Sequence, residues 1–110
     1  MSRESLGHFE LLVLLALLRV GDEAYGVPIA QAIEQSSGKR VILASVYNTL
    51  ERLEEKGLIR STIGQPTRER GGRAKRYFRV TESGLQAVRE TQRALVSLWH
   101  GLPQLGKGLA

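Results

Sequence analysis

The sequence predicts a mainly α-helical domain with one small β-hairpin, in the order helix, helix, helix, hairpin, helix. Apolar residues recur at helical spacing in four segments. Residues 58–63 and 76–81 alternate in polarity as strands do, and glycine or proline stands near the boundaries. This is the order of a winged helix-turn-helix followed by a further helix. We expect a winged helix-turn-helix DNA-binding domain over residues 1–81, and a C-terminal dimerisation helix with a frayed tail over residues 82–110.

The composition excludes several classes of protein. Hydrophobic residues make up 42% and charged residues 25% of the 110 residues, which argues against disorder. The absence of cysteine excludes disulfides and thiolate sites. His8 and His100 lie far apart without a ligand partner at helical spacing. We therefore expect no metal site, no cofactor and no enzymatic activity.

The apolar run over residues 11–18 is too short to span a membrane, which takes about 20 residues. Charged residues flank this run and no small-residue cleavage site follows it, so a signal peptide is not indicated. We expect a cytoplasmic protein that does not associate with membranes.

The first predicted helix covers about residues 5–20 and ends at Gly21. One face suits the core, but leucines cover the rest of the circumference as well. A helix that is apolar all round must be buried all round. A domain of this size leaves one face of the helix in contact with water. We therefore expect a second chain to cover the remaining apolar residues, which include Leu14 and Leu18.

The second and third predicted helices form the helix-turn-helix pair. Pro28 stands in the first turn of the second helix, and Gly38 follows its last turn. The third helix covers about residues 43–56, and Gly57 suits the left-handed position after it. Its core-facing residues are Val46, Leu50 and Leu53. Its opposite stripe consists of small or polar residues with an aromatic residue at the edge: Ser45, Asn48, Thr49 and Arg52, with Tyr47.

The predicted hairpin has a long basic tip that holds the whole charge excess. Residues 65–79 carry a net charge of +5, and the rest of the chain is neutral. The basic residues there are Arg68, Arg70, Arg73, Lys75, Arg76 and Arg79. Such a block is either a solvated loop or a contact surface for a polyanion. Gly71-Gly72 is not followed by the Gly-Lys-Ser/Thr of a nucleotide-phosphate loop.

The last predicted helix begins after Thr81 and extends to about residue 100. Its apolar residues recur at alternating spacings of 3 and 4, as in a dimer seam. The seam consists of Leu85, Val88, Gln92, Leu95, Trp99 and Leu102. Packing within one subunit is the alternative. Gln92 can set the register of a dimer, and Trp99 can form the interface core or line a pocket for a small-molecule inducer.

In a winged helix-turn-helix the second helix of the pair enters the major groove. We therefore expect Asn48 to hydrogen-bond an adenine edge, and Ser45 or Thr49 to contact a base or a phosphate. Tyr47 and Arg52 are expected to contact phosphates. The tip residues expected on the DNA backbone or minor groove are Arg68, Arg70, Arg73, Lys75 and Arg76.

Three other interpretations remain open at this point. The polar stripe of the third helix can be an ordinary exposed surface. The hairpin can dock an acidic protein, which would make the chain an interaction module without specific DNA binding. RNA binding is less favoured, because Tyr77 and Phe78 alternate in direction and at most one can stack on a base.

Three stretches, YGVPIAQAIE, SVYNTLERLEEKGLIRS and RERGGRAKRYFRVTESG, resemble the PadR family of transcriptional regulators over about residues 6–100. The most specific pieces are Tyr47 to Ile59 and Arg76 to Gly84. The resemblance implies a winged-helix repressor, dimeric through its C-terminal helix, that binds a pseudo-palindromic operator in double-stranded DNA. It also implies that Tyr47 contacts the DNA backbone. The chain resembles the short form of the family, which has one helix after the hairpin. Its Arg-rich hairpin tip is longer than the tip that is commonest in the family.

Overall fold

A computed structural model describes residues 6–64 and 75–106 of the chain. Within these residues it has the predicted order of elements, which is that of a winged helix. The helices are α1 (His8–Val20), α2 (Gly26–Ser37), α3 (Leu43–Glu55) and α4 (Glu82–Trp99), and the strands are β1 (Ile59–Ile63) and β2 (Arg76–Val80). A short 3₁₀ helix, Pro103–Leu105, follows α4.

Helix α1 begins at His8 because the chain is capped just before it. The N–H of Gly7 donates to the Glu10 side chain at 2.8 Å, which satisfies a backbone group that the first turn leaves unpaired. The core-facing stripe of α1 is Glu10, Val13, Leu14 and Leu17, at helical spacing. The prediction that Leu14 faces a second chain is therefore wrong, because Leu14 is fully buried inside its own chain.

The ends of α2 and α3 follow from glycines with positive φ. Gly38 closes α2 at φ +72°, and Gly57 follows α3 at φ +77°. After α3, the N–H of Leu58 donates to the Leu53 carbonyl and the N–H of Gly57 to the Glu54 carbonyl, both at 3.0 Å. This pair of bonds is a Schellman motif. It turns the chain directly from α3 into β1.

Strands β1 and β2 pair in antiparallel register, with Ser61 opposite Phe78 and Arg60 opposite Arg79. Because side chains alternate across a strand, the first pair lies on the face toward the helices and the second on the outer face. The free edge of β2 is also occupied, because the Phe78 N–H donates to the Ala24 carbonyl at 2.8 Å. The connection between α1 and α2 is therefore attached to the hairpin.

The beginning of helix α4 is fixed to the rest of the chain by its cap. Thr81 caps it by accepting from the Gly84 N–H at 3.1 Å, and donates its own hydroxyl to the Gly57 carbonyl at 2.8 Å. Val88 reaches the core, but beyond it most large apolar residues of α4 are exposed, with Leu98 at 76%. The second half of α4 therefore leaves apolar side chains open to solvent.

Among residues 6–64 and 75–106, none of the helices combines the length and the apolar character that crossing a membrane requires.

Candidate nucleic-acid interface

The outer surface of α3 is polar, accessible and supported from behind by the core. Ser45, Asn48 and Arg52 are exposed, whereas Val46 and Leu50 on the opposite side are fully buried. The helix therefore has one face fixed by packing and one face available for contact. Polar side chains on a packed helix are held in defined positions, which is what recognition of base edges requires.

Thr49 does not belong to this outer surface. The sequence assigns it to the polar stripe, and this assignment is wrong because the residue is only 2% exposed. Thr49 lies three residues after Val46 and directly before Leu50, at the margin of the buried stripe. Its hydroxyl is satisfied by Arg52, whose Nη2 donates to Oγ1 at 3.3 Å.

Tyr47 lies against the beginning of α2. A Cβ atom placed on Gly26 would collide with Cζ and Oη of the Tyr47 ring, so glycine is required for this approach. The residue as a whole is still 40% exposed. Contact with Gly26 holds the Tyr47 side chain at the junction of α2 and α3.

A small ionic cluster connects α3 to α1. Glu10 is 7% exposed and accepts from the Lys56 ammonium at 2.9 Å, and the Arg52 Nε lies 3.8 Å from the same carboxylate. Burial alone would raise the pKa of Glu10, but the Gly7 N–H and the Lys56 and Arg52 cations outweigh it and lower the pKa. Glu10 is therefore a buried carboxylate held in its charged form, and it fixes the second half of α3.

A second polar cluster connects α3 to both strands. Arg76 donates from Nη2 to Glu54 at 2.8 Å and from Nε to Ser61 at 3.1 Å, and the Ser61 hydroxyl donates to Glu54 at 2.6 Å. The predicted phosphate contact of Arg76 conflicts with this arrangement, because its guanidinium is turned back to α3. The reason is the pleat, which directs Arg76 to the same side of the sheet as Phe78.

Lys75 lies on an aromatic group at the root of the hairpin. Its Nζ is 4.3 Å from the centroid of the Tyr25 ring, and that ring meets Tyr77 edge-on at 6.0 Å. A cation above an aromatic face is stabilised by the ring quadrupole. The remaining predicted tip residues, Arg68, Arg70 and Arg73, lie outside the described residues.

The sequence comparison decides the family of this chain. Residues 14–90 match the model of the transcriptional regulator PadR-like family. The chain belongs to the PadR-like family of transcriptional regulators. A relative, the "Transcriptional regulator Rv3488" of Mycobacterium tuberculosis (strain ATCC 25618 / H37Rv), is 38% identical over 77 residues, which are 70% of this chain and 67% of the relative.

Several solved structures share the fold. A PadR family regulator from Clostridium difficile R20291 superposes with a TM-score of 0.71 at 21% identity, over 90% of this chain and 98% of that chain. A PadR family regulator from Eggerthella lenta DSM 2243 gives 0.67 at 26% identity, over 89% and 83%. The RosR protein of H. salinarum gives 0.70 at 21% identity, over 94% and 86%. The predicted fold class is confirmed.

The predicted dimer seam of this PadR-like chain divides into two parts. Leu85 is half-buried and Val88 is buried within the same chain, so the first turns of α4 pack on their own chain. Gln92 and the seam residues after it are exposed. Leu95, Trp99 and Leu102 are 40%, 38% and 42% exposed, and Leu18 on α1 is 44% exposed.

Sequence reasoning missed the residues that connect the elements, namely Glu10, Glu54 and Ser61. Glu10 stands three residues after Gly7, which is the spacing of a capping box, and that spacing was the available signal. The contacts of Glu54 and Ser61 depend on how the hairpin packs against α3. Arg60 was missed as well, although the alternation of β1 places it on the outer face.

Proposed function

We propose that this PadR-like regulator is a homodimeric repressor that binds a pseudo-palindromic DNA operator, with α3 in the major groove and the basic hairpin on the backbone or minor groove. The observation that supports it most is the outer surface of α3, where exposed Ser45 and Asn48 stand on a helix whose other side is fixed in the core. Such a surface suits recognition of base edges.

Asn48 is the residue proposed to determine base preference. An asparagine amide has one donor and one acceptor group and can bond an adenine through both, which contributes about 1–3 kcal/mol of discrimination. Ser45 is proposed to contact a base or a phosphate. Tyr47 and Arg52, at the two margins of the outer surface, are proposed to contact phosphates.

The hairpin is proposed to supply affinity that does not depend on sequence. The charge excess of the whole chain lies in residues 65–79, and each phosphate that a Lys or Arg neutralises adds about −0.9 to the slope of log K against log salt. Arg68, Arg70 and Arg73 are the proposed contacts at the tip, and Lys75 at the root.

The proposed dimer covers the apolar surface that one protomer leaves exposed. This surface consists of Leu95, Trp99 and Leu102 on the C-terminal segment and Leu18 on α1. Leu18 also lines a groove of about 570 Å³ between α1 and α2. Exposed clusters of large apolar side chains are typical of protein–protein interfaces. A second copy presents the same leucines and the same tryptophan, as a two-fold interface requires.

A small-molecule inducer is the third partner that we propose, and Trp99 is the residue expected to line its site. The ring is partly exposed on the second half of α4, next to the proposed interface. A ligand bound between two copies can act on DNA affinity only if it binds one arrangement of the dimer better than the other.

The test begins with selection of a site from random duplexes by the purified full chain. Fluorescence anisotropy then measures Kd for the selected site and a scrambled site across salt concentrations. Asn48→Ala removes the contact from both copies of the proposed dimer and is expected to reduce the preference for the selected site by about 30- to 20,000-fold, which corresponds to the loss of two contacts of about 1–3 kcal/mol each. The matched control Gln86→Ala on exposed α4 removes an amide away from α3 and is expected to leave the preference unchanged.

The competing function, docking of an acidic protein, predicts a different outcome. In that case no duplex saturates the protein at moderate salt, whether its sequence is selected or scrambled. Dimerisation is tested separately by native mass, where Leu95→Glu is expected to shift the chain from two copies to one. An unchanged dimer in Leu95→Glu and Trp99→Glu would remove α4 from the interface.

A further inference from the structure

Helix α3 begins with apolar residues at a place where a polar cap is normal. Ile42 occupies the N-cap position, and its hydrocarbon side chain cannot accept a hydrogen bond. Serine, threonine, asparagine and aspartate are preferred at this position, because their side-chain oxygen accepts from an unpaired N–H group of the first turn. The chain therefore lacks this local stabilisation at the beginning of the helix that we propose to enter the major groove.

The apolar side chains at the beginning of α3 are also exposed. Ile42 is 71% exposed and Leu43 is 40% exposed, whereas Val41 just before them packs against the core. A single exposed apolar side chain is common on protein surfaces. Ile42 is different, because it is exposed at a position where a polar residue would stabilise the helix. Neither capping nor packing within the described part of the chain explains an isoleucine there.

The backbone on both sides of Ile42 is held in place. The N–H of Val41 donates to the Glu34 carboxylate at 2.8 Å, which fixes the connection between α2 and α3. The carbonyl of Ile42 accepts from the N–H groups of Ser45 and Val46 at 2.9 and 3.3 Å. The side chain of Ile42 therefore extends from a fixed point of the backbone, as a residue that recognises a base must.

Ile42 belongs to the same surface of α3 as the polar residues proposed to contact bases. Ser45 and Asn48 follow it at intervals of three residues, which makes them neighbours along the helix surface, and both are exposed. A helix rises about 1.5 Å per residue, so Ile42 lies about 9 Å before Asn48 along the axis. This distance is less than about three base steps of 3.4 Å. One stretch of major groove can therefore contact all three side chains.

Thymine is the base that an apolar side chain can distinguish in the major groove, because it presents a 5-methyl group there. We propose that Ile42, with Leu43 beside it, covers the methyl group of a thymine within about three base pairs of the base that Asn48 contacts. Cytosine is disfavoured at this position, since an isoleucine would leave its amino group without an acceptor. The inference rests on the proposed function and adds an apolar determinant of base preference to it.

The experiment replaces the thymines of the selected duplex by deoxyuridine, one position at a time. Deoxyuridine pairs with adenine as thymidine does and lacks only the methyl group. The wild-type chain is expected to lose about fourfold in affinity when the contacted methyl is removed from one half-site, which is the value of one buried methyl group. Removal from both half-sites is expected to cost about fifteenfold.

Variants of the full chain assign this response to one side chain. Ile42→Ser is expected to bind the thymine and uracil duplexes equally, whereas Ile42→Val, which keeps a branched apolar side chain, retains most of the response. The matched control is Leu105→Ser, which removes a half-exposed apolar side chain from the short 3₁₀ helix and is expected to keep the wild-type response. Because serine can cap α3, Ile42→Ser is also expected to raise Tm by about 4 °C.

The outcomes separate this inference from the proposed function. If no deoxyuridine substitution weakens wild-type binding while Asn48→Ala still lowers the preference for the selected site, the inference is wrong and the proposed function stands. An equal response to uracil in wild type and Ile42→Ser would also overturn it, because the methyl would then act through the shape of the DNA. If Ile42→Ser instead halves the native mass, Ile42 belongs to a contact between copies. If no duplex saturates the protein, both proposals fail.

Discussion

Replacement of Glu10 by glutamine tests whether the ionic cluster beneath α3 stabilises the fold. Glutamine has nearly the same size and can still accept from the Gly7 N–H, so the cap of α1 is kept. What the substitution removes is the charge that faces Lys56 at 2.9 Å and Arg52 at 3.8 Å. The change is therefore electrostatic and leaves the packing of α1 in place.

The magnitude follows from the burial of the pair. The Glu10 side chain is 9% exposed and the Lys56 side chain 29%, so solvent screens the bond only partly. Hydrogen bonds to charged groups contribute about 1.5–3 kcal/mol. We expect a loss of about 2 kcal/mol in the free energy of unfolding at pH 7, which lowers Tm by about 8 °C for a chain of this size.

The effect depends on pH in a definite direction. The pKa of Glu10 is lowered in the folded state from its ordinary value of 4.5. A carboxylate with a lowered pKa contributes stability above its unfolded pKa and loses it as pH falls through the folded pKa. The wild-type advantage over Glu10→Gln is therefore expected to be constant from about pH 5.5 to 7.5 and to shrink below about pH 4.5.

Urea unfolding at fixed protein concentration measures this difference, since the stability of the proposed dimer would depend on concentration. Glu55→Gln, an exposed change at the end of α3, is the control and is expected to alter stability by less than about 0.5 kcal/mol. The charge of Glu10 would not be what stabilises the fold if both variants lost the same unfolding free energy. The same would follow if the loss in Glu10→Gln were unchanged at pH 3.5.

Three further predictions concern α4, the hairpin and the sensing site. Gly84→Ala is expected to destabilise the fold by more than about 2 kcal/mol in urea unfolding, because the added Cβ would collide with the Leu58 carbonyl, which is backbone and cannot swing aside. Wild-type stability in the Gly84→Ala variant would contradict this packing. Arg76→Gln is expected to lower stability through its lost bonds to Glu54 and Ser61 while leaving the DNA salt slope unchanged. A slope reduced by about 1.8, which is about 0.9 for each copy of the proposed dimer, would instead make Arg76 a phosphate contact. Compounds that release the protein from DNA are expected to quench Trp99 fluorescence, and an effective inducer without quenching would exclude Trp99 from the site.

The elements of the fold were predictable because each depends on local sequence. Helical spacing, the glycines after α2 and α3, and the threonine before α4 specify their own segments without reference to the rest of the chain. The hairpin was predictable for the same reason, from alternation on either side of a turn-rich stretch. The boundaries of these elements fall within a few residues of those in the structure.

The two burial predictions that were wrong concern side chains at the edge of the buried face of a helix. Leu14 and Thr49 each lie next to the core-facing side of a helix, and a small rotation of the helix decides whether such a residue is buried. The packing of one helix on another sets that rotation. The spacing of apolar residues in the sequence does not specify it. The role of Arg76 was unpredictable for a related reason, because Glu54 and Ser61 approach it only after β1 folds back along α3.

The most direct test of the proposed function is a hydroxyl-radical footprint of the full chain on its selected duplex, with the mass of the complex measured in parallel. A two-fold pair of α3 helices predicts two protected segments, centred about 10–10.5 base pairs apart, and two copies of the chain for each duplex. A single protected segment with one chain bound, or uniform protection without a preferred position, would contradict it.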